Sequence, residues 1–167
     1  MRSKSIKIID EITPDIGLKP TQRSEIAQHL ETLLATTYVL YLKTLYYHWN
    51  VTGPHFFSLH TFFQSEYEAL HKAGDALAER LRALGHMSPG TTAEFRELST
   101  IQEDEALPKS AQEMVQNLLH DNEHASLTAR KVLEKAQSLH DEVTADMMIA
   151  RMTYHDKAAW MLRSTLA

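Results

Sequence analysis

The sequence predicts an all-α protein: one bundle of four long helices, with a long crossover between the second and third that carries a short helix. Three observations predict it. Apolar residues recur at i, i+3/i+4 through four stretches of roughly 24–30 residues, the signature of amphipathic helices. Glycine and proline, five of each, fall mostly outside those stretches. The connection over residues 85–109 is too long for a turn, whereas the other two are short.

The chain has 167 residues, enough for one domain with a proper core. Residues 1–19 read as an N-terminal tail and 20–167 as the bundle. In the tail, Arg2, Lys4 and Lys7 are offset by Asp10, Glu11 and Asp15. A loosely docked arm fits this balance better than a DNA-binding arm.

The first long helix is expected from about Thr21 to Asn50, with Thr21 as its cap after Pro20. Ile26, Leu30, Leu33, Leu34, Tyr38, Leu42 and Leu45 form its apolar stripe. Tyr38, Tyr41, Tyr46 and Tyr47 suit either a core or an interface. Val51 to Pro54 break the helix, and the second runs from about Phe56 to Leu84, stopped by Gly85. In the crossover Pro89-Gly90 marks a turn, and Thr92 to Leu98 read as a short helix capped by Thr92. Ser110 to Glu113 is a capping box that opens the third long helix, which runs to about Ser138. The fourth starts near Asp141–Thr144, ends near Ala167, and buries Met148, Met152, Ala159 and Leu162. A crossover that spans the bundle lets the second and third helices run parallel.

The second helix carries the chemistry. With His60 at zero and about 100° per residue, His71 falls near 20°, Gln64 near 40°, Asp75 near 60°, Glu68 near 80° and Glu79 near 100°. Leu59, Phe63, Leu70, Gly74, Leu77 and Leu81 lie on a different face, which predicts the core side. His and carboxylate together suit a borderline metal such as iron or zinc. One copy cannot close the site, because His60 and Glu79 are roughly 28 Å apart along the axis. Two copies packed antiparallel about a two-fold axis near residues 69–70 set His60 against the partner's Glu79 and Gln64 against the partner's Asp75. Glu68 then meets the partner's His71. The expectation is an isologous dimer with two shared sites. A solvated helix face shows the same periodicity; His48, just upstream, and the length of both helices favour the metal reading.

Composition narrows the classes. There is no cysteine, so disulfides and thiolate ligands are excluded. The N-terminus is not signal-like and no apolar run is long enough to span a membrane, so a cytoplasmic location is expected. A net charge of −5 argues against nucleic-acid binding by the whole surface. Ten histidines suit metal chemistry. Of these, His29, His55, His86, His120, His124, His140 and His155 read mostly as surface or packing residues. The i, i+4 pair His120 and His124 could also hold a stray metal.

Tyr47-His48-Trp49-Asn50, Phe56 to His60, Gly74 to Arg80 and His155 to Arg163 closely resemble the Dps family of miniferritins, over about residues 20–167. The resemblance implies a ferritin-like bundle assembled into a hollow shell of twelve subunits. It implies a ferroxidase that oxidises Fe(II), usually preferring hydrogen peroxide to oxygen, and stores the ferric product inside. It implies an oxidation centre at a dimer interface, with His48 and His60 from one subunit and Asp75 and Glu79 from the other. Trp49, beside it, could intercept radicals or pack at the helix end. Zinc is a possible competitor for iron.

One departure matters. The family usually carries Asp or Glu four residues after the second histidine, and here the residue is Gln64. The loss of a charge there would weaken one metal position, which Glu68 and His71 on the same stripe could offset. By position, Asp141, Glu142 and Asp146 would line cation pores, although acidic residues in a first turn also stabilise a helix N-terminus. Some members of the family bind DNA and associate with the nucleoid. A DNA-protecting protein with weak iron oxidation is therefore the alternative, and a plain bundle with a structural histidine stripe is a third reading.

Overall fold

The computed structural model of the chain describes residues 13–167. The expectations for Arg2, Lys4, Lys7, Asp10 and Glu11 lie outside the described residues. Four long helices and one short one follow in order: α1 (Pro20–Asn50), α2 (Phe56–Ala83), α3 (Thr92–Leu98), α4 (Ala111–Ser138) and α5 (Glu142–Thr165). There is no strand among these elements.

Cap chemistry explains the boundaries. Pro20 is itself the first residue of α1, where its missing N–H costs nothing. Lys19, not Thr21, is the cap, and its N–H is satisfied by Gln22 Oε1 at 2.8 Å. Similarly, Thr91 rather than Thr92 caps α3: its hydroxyl accepts from the Glu94 N–H, and Glu94 reaches back to the Thr91 N–H. Ser110 caps α4 as expected by accepting from the Glu113 N–H at 3.1 Å. The Glu113 carboxylate, however, takes the N–H of Lys109 at 2.7 Å.

At the end of α2, Gly85 adopts a φ of 85°. The His86 N–H then reaches Leu81 O at 3.0 Å and the Gly85 N–H reaches Arg82 O at 2.9 Å, which closes a Schellman motif. The end of α4 repeats the motif with His140 at a φ of 61°.

Contacts across the bundle give its topology. Gln22 meets Leu139, and Lys43 meets Asp121, so α1 and α4 run antiparallel. Arg80 meets Thr144, and Tyr154 meets the Glu66 carbonyl, so α2 and α5 do too. The short connections make α1/α2 and α4/α5 antiparallel hairpins, so α2 and α4, on the diagonal, are parallel. The crossover over residues 84–110 makes that arrangement possible. It is tied down by Asp104, which accepts from the Tyr47 hydroxyl and lies 3.5 Å from Lys43 Nζ.

The core has two layers. One holds Ile26, Leu30, Leu34, Leu81, Val132 and Met148; the other holds Leu40, Phe63, Leu70, Leu118 and Leu162. All six apolar positions expected on the core face of α2 are buried. Leu42 is the exception on α1: it is exposed, together with Tyr46 and Trp49 on the same helical row. Of the tyrosines, Tyr47 is fully buried, Tyr38 packs flat on Phe95, and Tyr46 faces outward.

Candidate metal centre

His48 ends α1 and His60 lies in the second turn of α2, across the Gly53 turn. The two lock each other. His48 Nδ1 lies 2.9 Å from the His60 carbonyl, and His60 Nδ1 lies 2.9 Å from the His48 carbonyl. A carbonyl only accepts, so each Nδ1 bears the hydrogen and donates. With Nδ1 carrying the hydrogen, the neutral form of each ring presents its lone pair on Nε2. The rings stack at 3.8 Å between centroids, 20° from parallel, with Phe56 against the far side of His60 at 5.0 Å. Hydrogen bonding of one ring nitrogen to a carbonyl is the arrangement that fixes a histidine for metal ligation by the other.

The remaining stripe residues face away from the chain. Gln64, Glu68, His71, Asp75 and Glu79 are all exposed. Gln64 Nε2 donates to Glu68 Oε1 at 2.9 Å, so these two are joined along the helix. His71 rests against Tyr41, with centroids 5.6 Å apart. The structure brings His48 and His60 together and leaves Asp75 and Glu79 several turns further along α2. Among the described residues, no three His, Asp or Glu side chains of one chain converge on a common point.

The bundle interior offers no substitute. Interior two-metal sites need carboxylates and histidines from facing helices. Among the described residues the buried carboxylates are Glu66, Asp121 and Asp141. Asp121 is held by Lys43 at 2.7 Å and Asp141 by Arg80 at 2.7 Å. Glu66 stands in a chain of side chains that periodicity did not single out. Arg151 donates to His155 Nε2 at 3.0 Å, His155 Nδ1 donates to Asn122 Oδ1 at 2.9 Å, and Asn122 Nδ2 donates to Glu66 Oε1. Both nitrogens of His155 are thus occupied, and a guanidinium supplies the positive charge. Burial pushes the Glu66 carboxyl up to about 7 and His155 down to about 3. A polar network whose members come from three helices is hard to see one helix at a time. The only signal was a glutamate on the core-facing side of α2.

The acidic turn at the start of α5 divides. Asp141 is buried and caps α5: its carboxylate accepts from the Thr144 N–H and from Arg80. Burial opposes its ionisation, but the bonds from Arg80 and Thr144 outweigh this and hold the carboxyl below its usual range. Its carboxylate is therefore committed to the fold, whereas Glu142 and Asp146 are exposed.

Beside the histidines lies an apolar patch of exposed side chains: Leu42, Tyr46 and Trp49 on α1, with Phe56 and Phe57 on α2. Trp49 and Phe57 are 68% and 81% exposed, unusual for such large apolar groups.

Comparison with known proteins bears on this arrangement. Residues 27–167 match the model of the ferritin-like domain. The chain is 39% identical to an uncharacterized low temperature-induced protein of Nostoc, over 90% of this chain and 84% of that one. It is 36% identical to DNA protection during starvation protein 2 of Bacillus anthracis, over 85% of this chain and 97% of that one. Among solved structures it superposes on a Dps protein of Vibrio cholerae with a TM-score of 0.88 at 29% identity. That match covers 95% of this chain and all of the other, which is described as one of a broad superfamily of ferritin-like diiron-carboxylate proteins.

Proposed function

The chain belongs to the ferritin-like family, among its DNA-protection-during-starvation (Dps) proteins, and from that premise we propose that it is a ferroxidase and iron store. It oxidises Fe(II), its substrate, at sites shared between two subunits, with hydrogen peroxide as the preferred oxidant. It keeps the ferric product inside a hollow shell, a dodecamer on the family pattern, and so removes both reagents of oxidative damage. The observation that carries this reading is the reciprocal lock of His48 and His60, which aims two free Nε2 atoms from a rigid helix junction.

Each residue has a role. His48 and His60 hold iron from one subunit, and Asp75 and Glu79 of the facing subunit close the site and supply negative charge. That charge favours the ferric state, which is the direction of reaction. Two Fe(II) ions each give one electron to one peroxide; its O–O bond breaks and, with two protons taken up, two waters form. Gln64, a neutral ligand or hydrogen-bond donor, leaves one of the two metal positions weaker, and Glu68 and His71 stand beside it. Trp49, next in sequence to His48 and exposed, takes the role of losing an electron to a stray radical. The exposed Glu142 and Asp146, rather than Asp141, supply free carboxylates along a route for incoming cations.

The facing-subunit arrangement is supported by the same exposed features. Phe57 falls on the same face of α2 as the polar stripe, and a second copy packed on that face would cover both. Burying two facing charged stripes is costly unless they are paired or metallated.

The test is an Fe(II) titration of the metal-free protein with and without peroxide, followed by absorbance and by the size of the soluble product. Fast oxidation with peroxide, many irons retained per chain, and loss of that rate in His60→Ala are expected. Oxidation no faster than in buffer, with precipitation, would leave DNA retention as the function to measure.

A further inference from the structure

We propose that His120 and His124 form a second cation site on the outer face of α4, which takes a borderline divalent ion of the zinc class. It draws on no residue of the α2 stripe: both of its histidines sit on α4, which lies diagonally across the bundle from α2.

The two imidazoles are i, i+4 and stack 6.3 Å apart, 28° from parallel. Zinc–nitrogen bonds of about 2.0–2.1 Å need donor nitrogens roughly 3.3 Å apart, which rotations of the exposed His120 ring and the partly buried His124 ring would provide. A carboxylate stands behind the first ring. Asp121 Oδ1 lies 3.5 Å from His120 Nδ1, and Asp121 is buried, with its other oxygen 2.7 Å from Lys43 Nζ. The negative oxygen favours the hydrogen on Nδ1, which leaves Nε2 free to ligate. Shortened from 3.5 Å to a hydrogen bond, this contact would give the carboxylate–histidine order that orients metal-binding rings.

A cleft of 460 Å³ opens beside both rings, lined by Glu103, Asp104, Asn117 and Lys43 among others. Lys43 is outweighed there by Asp104 and Asp121, and Glu103 adds a further negative charge. Two nitrogens come from the chain, and water completes the coordination. Such a donor set binds zinc or copper ahead of Fe(II). The site would therefore collect ions that compete with iron, away from the oxidation centre.

Calorimetric titration of Zn(II) into the assembled, metal-free protein tests this with two variants. In the double variant His120→Ala/His124→Ala, one class of zinc sites should vanish or weaken by at least about tenfold, while Fe(II) oxidation keeps its wild-type rate. In His60→Ala that class should remain. If the double variant reproduces the wild-type isotherm, or if His60→Ala alone removes the class, the second site does not exist. Failure of the oxidation reading would appear separately, as an unchanged Fe(II) rate in His60→Ala. His120 has a 77% exposed side chain, so the double variant should fold.

Discussion

Gln64 lies one turn beyond His60, and its amide donates to Glu68 Oε1. A carboxylate at this position would add a negative oxygen where the chain now has a neutral amide. Gln64→Glu should therefore tighten Fe(II) binding at the weaker position by about tenfold or more, the scale on which even groups behind a metal's ligands act. Stopped-flow oxidation and Fe(II) titration would read the change; no change would mean that residue 64 does not face the metal. The second residue-scale prediction concerns Glu66. Its folded carboxyl is raised from 4.5 to about 7 by burial. Between these values a native Glu66 binds more protons than an unfolded one, so its own contribution to stability is fullest below about pH 4.5 and is lost as pH rises through 7, opposite in sign to that of the buried neutral His155, which is lost as pH falls below 6.5. The difference is on the order of 3 kcal/mol at most. Glu66→Gln, which mimics the protonated acid, should flatten this slope in thermal melts between pH 5 and 8, with its largest gain at the alkaline end.

At the scale of elements, α2 is held to α1 by a close approach. A Cβ on Gly74 would sit 2.9 Å from Cε2 of Tyr38, whose ring is stacked on Phe95 of α3 at 4.5 Å. The ring cannot yield without disturbing the crossover. Gly74→Ala should gain about 1 kcal/mol of helix propensity and lose about 2–3 kcal/mol to overpacking, a net drop of a few degrees in melting temperature. Helices were the most legible part of this chain because periodicity is a repeated signal, and all six apolar positions assigned to the α2 core face are buried. Cap positions were less so, since Thr21 and Thr92 compete with neighbours that only three-dimensional bonding decides between. Leu42 misled for a different reason. Beyond Leu34 the buried face of α1 is carried by Leu40, Lys43, Thr44, Tyr47 and His48, and Leu42, Tyr46 and Trp49 fall on the exposed side of the same turns.

At the scale of the whole molecule, the stripe of α2 was legible as a set of residues but not as a finished site, because among the described residues no three of its His, Asp or Glu side chains converge within one chain. The histidine lock needed the α1–α2 turn to be seen, and the chain Glu66–Asn122–His155–Arg151 needed three helices at once. The proposed site draws on two subunits, and that proposal has a quantitative consequence. His60→Ala breaks the histidine half of a shared site and spares Asp75 and Glu79; Asp75→Ala/Glu79→Ala does the reverse. Each variant alone should be nearly inactive in Fe(II) oxidation. Dissociated, mixed in equal amounts and reassembled, half of the dimers should be mixed, and each mixed dimer holds one site with every ligand intact. The mixture should then recover about a quarter of the wild-type sites. The amplitude of the fast oxidation phase measures that fraction directly. Recovery near a quarter requires ligands from both chains, whereas an inactive mixture that has assembled to full size would mean that each chain works on its own histidines and carboxylates.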